Sequence, residues 1–324
     1  MAKKVLILAG GGGHTSIALA LAQALKGEAE TSFLVPENDR LSRELLSPYG
    51  AVEDLIKGRY PQTSNLLFPF RLLSAFYHSF PKVNRGYDVV VSTGSNFCIP
   101  PAVIAWLKSI PVINIESRVA ITKPSKTALL LQYFSKKTLL QWEEQKTNLK
   151  GIVIGPIFPE KRYEARNLGY VLVTGGTEGH KQLFDAVVGL DLEMVVMQTG
   201  KVDPVPYREK RPRWTIIPYS TEFEKLVAES SVVITHQGGG TIFETLLYEK
   251  PLIIVFNREL HRTANMEDMR VLATKVNAPF VEKADRDKIE ALIVDAELHG
   301  KPHFENGRIK AVKAILDACA SESS

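Results

Sequence analysis

Three glycine-rich stretches bring together residue types that could do phosphate chemistry. The densest is Thr235-His236-Gln237-Gly238-Gly239-Gly240-Thr241-Ile242-Phe243-Glu244, set between the apolar runs Ser231–Ile234 and Pro251–Phe256. Short β-branched runs bounded by turn residues read as buried strands. The glycines then open a loop, Thr241 is placed to cap, and Ile242–Lys250 reads as a helix of about two turns. A strand, a glycine loop and a helix start make an anion site. Free N–H groups point outward, and the helix dipole puts roughly half a positive charge there. Glu244, read as a first-turn residue, is placed to reach a sugar hydroxyl beside a bound diphosphate. The plainer alternative is a tight turn carrying a surface glutamate.

The other two stretches repeat the pattern. Gly10-Gly11-Gly12-Gly13-His14-Thr15 follows the apolar run Val5–Ala9, and Gly175-Gly176-Thr177-Glu178-Gly179-His180 follows Tyr170–Thr174. Thr93-Gly94-Ser95-Asn96 closes the run Asp88–Ser92, and Glu116 closes Pro111–Ile115.

The elements that must position these residues alternate. Strands at Val5–Ala9, Thr31–Val35, Asp88–Ser92 and Pro111–Ile115 are separated by helical patterns, one opened by Asp39 with Leu41, Leu45 and Leu46, another carrying Val103, Ile104 and Leu107. After an aperiodic segment, Pro156–Gly169, the pattern restarts with strands at Tyr170–Thr174, Met194–Gln198, Trp214–Pro218, Val232–Thr235 and Leu252–Phe256. Strands alternating with helices mean parallel sheets covered on both faces. The expectation is an α/β chain of two Rossmann-like domains, 1–156 and 157–324. A C-terminal helix, His303–Ala320, carries Ile309, Val312, Ile315 and Leu316 on one face and is a candidate to pack back on the first domain. Ligands of such sheets sit at the carboxyl ends of the strands, which for two facing domains means a cleft.

Composition narrows the classes. With 324 residues, 45% hydrophobic and 23% charged, the chain is long enough for two ordinary globular cores. A net charge of +4 is too small to argue for nucleic acid. The two cysteines, Cys98 and Cys319, lack metal-ligand spacing. No apolar run approaches the roughly 20 residues of a membrane-spanning helix. Two segments break the soluble pattern: neither Leu55–Tyr87 nor Ser117–Trp142 contains an acidic residue. In the first, Leu66, Leu67, Phe68 and Phe70 stand beside Arg71; in the second, Leu129-Leu130-Leu131 and Tyr133-Phe134 lie among lysines. Each large apolar side chain entering a lipid interface would contribute about 1.5–3 kcal/mol, and each basic residue near an anionic leaflet about 1 kcal/mol. That suffices for reversible surface binding; the alternative is ordinary packing or a dimer contact.

These motifs together resemble a known family. Gly10–Thr15, Asp88–Gly94, Ile115-Glu116-Ser117-Arg118-Val119 and Leu140-Gln141-Trp142 look like the membrane-recruiting subunit of the eukaryotic dolichyl-diphosphate N-acetylglucosaminyltransferase. Val173–Thr177 and the Thr235–Pro251 stretch, with His236 and Glu244, look like its catalytic partner. Here the two are fused, acceptor half first, a plan similar to that of the bacterial peptidoglycan GlcNAc transferase.

The resemblance implies a GT-B fold and an inverting, metal-independent transfer from a UDP-sugar to a polyprenyl- or dolichyl-diphosphate-linked acceptor. No cofactor is implied beyond the UDP-sugar donor, no Asp-x-Asp metal-ligand pair is expected, and no nucleic-acid partner is expected. The location implied is cytoplasmic, peripheral on an anionic membrane face, with a homo-oligomer possible. The recruiting subunit's anchoring helix has no counterpart before Val5, so attachment is expected to rest on the surface segments. Donor binding is assigned to Gly175, Gly176, Thr177, Gly179, His236, Gly238, Gly239, Gly240, Thr241 and Glu244. Asn265 stands in for a His-Gln pair that the family carries where this chain has Ala264-Asn265. Gly11, Gly12, Gly13, Thr15, Gly94, Ser95, Asn96 and Arg118 are assigned to the acceptor. Ile217–Phe223 is a candidate uracil pocket, with Lys201 and Arg208 as phosphate contacts or solvated surface.

Two residues are candidates for the base that takes the acceptor hydroxyl's proton. His14 has an ordinary pKa near 6.5, suited to neutral pH; Glu116 ends a strand on the same rim. A structural role for both is the alternative. Competing readings are a UDP-GlcNAc 2-epimerase, which would not need the acid-free surface, and a nucleotide-sugar-binding scaffold without catalysis. An NAD-dependent dehydrogenase would leave the second-domain loops unexplained.

Overall fold

The computed structural model describes residues 2–59, 64, 66–260, 264–296 and 304–320. The expected start of the last helix at His303 and the Ser321–Ser324 tail lie outside the described residues. The chain divides into two compact units, residues 1–160 with 304–324, and residues 161–303.

The first unit alternates β1 (Lys3–Leu8), α1 (Gly13–Leu25), β2 (Ala29–Pro36), α2 (Arg40–Leu46), β3 (Gly50–Leu55), α3 (Phe68–Lys82), β4 (Val89–Ser92), α4 (Ile99–Leu107), β5 (Val112–Ile115), α5 (Lys126–Leu131), β6 (Lys137–Leu140) and β7 (Ile152–Val153). Among the described residues these strands form one parallel sheet in the order β3-β2-β1-β4-β5-β6-β7. β1 and β4 are buried almost throughout, as runs such as Val89-Val90-Val91 require when both faces of a sheet are covered. One face packs α1 through Ile17, Leu21 and Leu25; the other packs α4 through Ala102 and Ala105.

The second unit alternates β8 (Val171–Thr174), α6 (Lys181–Val187), β9 (Val195–Gln198), α7 (Val205–Lys210), β10 (Thr215–Ile217), α8 (Phe223–Glu229), β11 (Val232–Thr235), α9 (Gly239–Leu247), β12 (Leu252–Val255), α10 (Met266–Lys275), β13 (Phe280–Val281) and α11 (Arg286–Val294). Its parallel sheet runs β10-β9-β8-β11-β12-β13 among the described residues.

The final helix, α12 (Arg308–Ala320), belongs to the first unit. Ala311, Val312, Ala314, Ile315 and Ala318 join the core cluster of α1 and β1. Ile309, expected on the packing face, is exposed; the buried stripe instead follows the small residues, which let the helix approach α1 closely. Leu41 and Leu107 likewise face solvent, because the buried sides of their helices are set by Ser42 and Leu46 and by Ala102 and Ala105.

Both sheets reverse their winding direction between two neighbouring strands: β1 and β4 in the first unit, β8 and β11 in the second. Loops leaving such a pair at its carboxyl end splay apart and open a crevice. Every glycine stretch singled out above leaves one of these four strands.

Candidate active site

In the first unit, the crevice at β1 and β4 is built from the Gly10–His14 and Thr93–Asn96 loops. Gly11 and Gly12 hold φ of 85° and 57°, which glycine adopts without a Cβ penalty. Their carbonyls accept the N–H groups of His14 at 3.2 Å and Thr15 at 3.0 Å, winding the chain into α1. Gly12 caps α1 without a side-chain bond. His14 Nδ1 lies 2.6 Å from the Thr93 carbonyl, which can only accept, so Nδ1 carries the proton and Nε2 holds the lone pair. Burial pushes the His14 pKa down to about 4, further lowered by the charges of Arg118 and Lys57, against the pull of the Thr93 bond. The imidazole is therefore neutral at pH 7, although its expected value near 6.5 does not hold.

The other residues that the sequence assigns to an acceptor divide between loop and framework. Gly94, at φ 89°, and Ser95 form the second loop, and a side chain at Gly10 would collide with Ser95. Asn96 is exposed at its tip. Thr15 is buried, its hydroxyl 2.5 Å from Ser42, which donates to Asp39 at 2.6 Å. Arg118 is 4% exposed and donates to the carbonyls of Gly13 at 3.1 Å and Ile157 at 3.0 Å, so it braces the glycine loop.

Glu116 is fully buried, and its two carboxylate oxygens accept the N–H groups of Ser117 at 2.5 Å and Ser125 at 3.0 Å. Its carbonyl accepts from Gln141 Nε2 at 2.6 Å, while the Trp142 indole donates to the Arg118 carbonyl at 2.7 Å. Gln145 adds donations to the carbonyls of Ser117 and Ala120. The Glu-Ser-Arg-Val and Gln-Trp motifs are thus two halves of one hydrogen-bonded knot behind the loop. Glu116 holds that knot, which favours the structural alternative for it.

In the second unit, the crevice at β8 and β11 joins Gly175–His180 to His236–Thr241. A Cβ at Gly175 would lie 2.3 Å from the Gly179 and His180 backbone, so the loop closes only on glycine there. Gly176 N–H donates to Thr174 Oγ1 at 3.1 Å. His236 is 6% exposed, and Nε2 is its nearest ring atom to both glycines: 2.9 Å from a Cβ built on Gly176, 2.6 Å from one on Gly238. The ring therefore fills the gap that these two glycines leave.

α9 begins at Gly239 with Gly238 as cap and no side-chain cap bond. This moves the helix start three residues ahead of the expected Ile242. Thr241 is no cap but a buried first-turn residue, its carbonyl accepting from Thr245 at 2.8 Å. Glu244 consequently lies on the second turn, half-buried. Three successive residues, Gly239, Gly240 and Thr241, occupy the first turn, whose N–H groups have no intrahelical acceptor.

Thr177 is exposed and its carbonyl accepts Lys201 N–H at 3.0 Å, while Lys201 pairs with Glu178 at 2.7 Å, an exposed ion pair. Arg208 donates to the Ile216 carbonyl at 2.8 Å and braces β10. Gln198 accepts Ser220 N–H at 3.0 Å, holding the Ile217–Phe223 segment beside Gly200. Gly179, at φ 82°, gives its carbonyl to Asn257 at 3.3 Å. Asn265 is the cap of α10: it accepts Asp268 N–H at 2.9 Å and donates to that carboxylate at 2.6 Å. Its amide thus starts the helix with one N–H and one oxygen lone pair. Against the expectation of no Asp-x-Asp pair, Asp285-Arg286-Asp287 is one, and it starts a helix, Asp285 capping α11 through Lys288 N–H.

Two features were not assigned from sequence. Lys57, just past the end of β3, acts on His14 by charge and has its own pKa lowered by burial. A basic residue directly beyond a strand's carboxyl end is the signal that marks it. His180, within a glycine motif, is buried with an unpartnered Nε2.

Residues 5–155 match the model of the oligosaccharide biosynthesis protein Alg14 like family, and residues 170–319 match the glycosyltransferase family 28 C-terminal domain. The chain is a GT-B glycosyltransferase. It is 28% identical over 298 residues to the UDP-N-acetylglucosamine--N-acetylmuramyl-(pentapeptide) pyrophosphoryl-undecaprenol N-acetylglucosamine transferase of Synechococcus elongatus, covering 84% of this chain and 82% of that one. The protein of that description from Bacillus thuringiensis is 25% identical over 279 residues, covering 79% and 78%. Among solved structures, Acinetobacter baumannii MurG superposes with a TM-score of 0.69 at 19% identity, covering 97% of this chain and 99% of that one. A putative UDP-N-acetylglucosamine 2-epimerase from Listeria monocytogenes also reaches 0.69, at 14% identity and 100% and 98% coverage. The fold alone therefore does not separate transferase from epimerase. The family 28 domain and the sequence relatives favour the glycosyltransferase.

Proposed function

We propose that this glycosyltransferase moves GlcNAc from UDP-GlcNAc to a sugar carried on a polyprenyl diphosphate, in the assembly of a lipid-linked oligosaccharide precursor. The observation that carries the reading is the pair of crevices, one in each unit, each opened at a strand-order switch and lined by glycine loops at a helix start. The second unit holds the donor: N–H groups of α9 and His236 face the diphosphate, and Glu244 the ribose. The first holds the acceptor's diphosphate against the Gly11–Gly13 loop, with His14 Nε2 as the base.

Negative charge on departing UDP is then met by N–H groups, the α9 dipole and His236, with no metal required and with inversion at the anomeric carbon. The Alg14-like first half favours an oligosaccharide carrier, such as a dolichyl-type diphosphate, over a peptidoglycan one.

Peripheral attachment to the cytoplasmic face of a membrane fits the exposed side of α3. Phe70, Leu73, Tyr77 and Phe80 recur at helical spacing and are 58–77% exposed, with Leu66 and Leu67 just before them. Arg71 is exposed beside them, and Lys108 Nζ lies 3.9 Å over the Phe80 ring. Phe68 is half-buried, and Arg59 stacks on its ring at 5.0 Å. Leu129, Leu130 and Tyr133 add a second exposed apolar group. Among the described residues no helix is long and apolar enough to cross a membrane.

The deciding experiment incubates the purified chain with UDP-GlcNAc and a short-chain polyprenyl-diphosphate-GlcNAc, following UDP release and the linkage of the disaccharide formed. A β-linked lipid disaccharide supports the reading. UDP-ManNAc, or free UDP without acceptor glycosylation, overturns it in favour of epimerisation or hydrolysis.

A further inference from the structure

Lys57 is a half-buried lysine at the carboxyl edge of the first sheet, two residues past the end of β3. Hydrogen bonds and close contacts fix where it stands. Leu55 pairs in register with Pro36, and its carbonyl accepts Glu37 N–H at 3.1 Å, so Lys57 leaves the sheet beside the turn that follows β2. That turn lies against the glycine loop: a Cβ built on Gly11 would be 3.9 Å from Pro36 Cγ and 3.0 Å from Asp39 Oδ2. One built on Gly12 meets nothing within 4 Å, so the loop is walled at Gly11 and open at Gly12. On the other side the β3–α3 connection runs against α3, where a Cβ on Gly58 would be 3.3 Å from Leu72 Cδ1. The Lys57 backbone is thus fixed between α3 and the turn that borders the glycine loop.

No carboxylate pairs with this lysine. Among the described residues Lys57 has no hydrogen-bond or ion-pair partner. Asp39 spends Oδ1 and Oδ2 on the N–H and hydroxyl of Ser42, at 3.1 and 2.6 Å. Glu116 accepts the Ser117 and Ser125 N–H groups, and Leu55–Tyr87 contains no acid. The charge of Lys57 adds to burial in lowering the pKa of His14, as expected of two side chains at one crevice. An unpaired cation held partly out of water is unfavourable in the free protein and becomes favourable when an anion reaches it.

We propose that Lys57 binds the diphosphate of the lipid-linked acceptor, and so selects a diphosphate-linked over a monophosphate-linked acceptor. One phosphate rests on the Gly11–Gly13 loop, and the other accepts from Lys57 Nζ. A compact ammonium with three donors on a flexible stem suits that second phosphate. The connection that carries Lys57 leads on to α3, the helix assigned to the membrane, which suits a diphosphate borne on a lipid. This rests on the acceptor assignment made above and adds Lys57 as a binding residue.

The test is steady-state transfer by the full chain from UDP-GlcNAc to two short-chain acceptors, polyprenyl-diphosphate-GlcNAc and polyprenyl-monophosphate-GlcNAc. Wild type should favour the diphosphate. Lys57→Met keeps the stem and removes the charge. It should raise KM for the diphosphate acceptor about ten- to a hundredfold, the range of one hydrogen bond to a charged group. The monophosphate acceptor should change little, so the gap between the two narrows. KM for UDP-GlcNAc and the denaturation midpoint should stay as in wild type, and Lys57→Arg should recover most of the loss. A purely structural role would lower the midpoint and weaken both acceptors alike. An unchanged KM for the diphosphate acceptor in Lys57→Met, or equal losses on both acceptors, overturns the assignment. So does a loss confined to UDP-GlcNAc, which would place Lys57 with the donor's diphosphate. Wild type that uses neither lipid overturns the functional reading itself, and the role of Lys57 with it.

Discussion

His14 and Thr93 are joined by a 2.6 Å bond that settles which imidazole nitrogen is basic. Because the Thr93 carbonyl must accept, Nε2 is the free base, and it stays unprotonated well below neutral pH. A general base supplies about 10²–10⁴ in rate. His14→Ala should therefore lower turnover by about that factor and leave UDP affinity unchanged by calorimetry. The acid limb of kcat/KM should fall nearer pH 4 than 6.5; a limb at 6.5, or wild-type turnover in the variant, removes His14 from the role.

Glu116 answers to a different measurement. Its carboxylate accepts two backbone N–H groups in a fully buried position, and truncation strands both donors at about 1–3 kcal/mol each. Glu116→Ala should lower the denaturation midpoint markedly, as should Trp142→Phe to a smaller degree through the Arg118 carbonyl. If Glu116→Ala unfolds like the wild type but turns over slowly, Glu116 belongs with the chemistry.

Much of this architecture was legible in the chain. Runs such as Val232-Val233-Ile234 and Leu252-Ile253-Ile254 could only be strands buried on both faces, and their alternation with helices gave parallel sheets. The ends were harder. β3, Gly-Ala-Val-Glu-Asp-Leu, is an edge strand exposed along much of its length, so it lacks the apolar signature. The start of α9 was misplaced because glycine is a poor helix former, yet tertiary context holds Gly239 and Gly240 helical. Asn265 carries a capping role that the sequence does not announce, since a cap and a ligand contact use the same amide. The Glu116–Trp142 knot could not be read at all, since its bonds to backbone carbonyls join residues 24 to 28 positions apart.

Lowered histidine pKa values also make stability pH-dependent. His180 and His236 fall from 6.5 unfolded to about 4 folded, so between these limits the unfolded chain binds more protons. Stability is fully present above about pH 6.5 and is lost as pH falls toward 4, by up to about 3 kcal/mol for each residue. Urea denaturation from pH 7 to 4.5 should show that decline. Its slope should flatten in His180→Phe, and an unchanged slope would show that His180 is already neutral when unfolded or charged when folded.

The exposed face of α3 can be separated from the core of its own helix. Ala75 and Ser79 are buried, whereas Phe70, Leu73 and Tyr77 are 67–77% exposed, so replacing those three with serine leaves the packed side untouched. The triple variant should keep its denaturation midpoint and lose flotation with anionic liposomes. Retained flotation would assign membrane attachment to the Leu129, Leu130 and Tyr133 surface instead.

Gly240 poses the sharpest question about the donor crevice. It lies in the first turn of α9, and a Cβ built there meets nothing within 4 Å. Alanine should therefore be welcome in the free protein and stabilise the helix by about 0.5–1 kcal/mol. Nothing in the folded chain demands glycine at this place, unlike Gly175, whose Cβ would strike backbone. What the open space suits is a diphosphate drawn against the first-turn N–H groups, to within contact of the Cα. Gly240→Ala should thus raise the denaturation midpoint and weaken UDP-GlcNAc binding by about tenfold or more, roughly the 1.4 kcal/mol of one displaced phosphate contact. A more stable variant with undiminished affinity would move the phosphates away from α9.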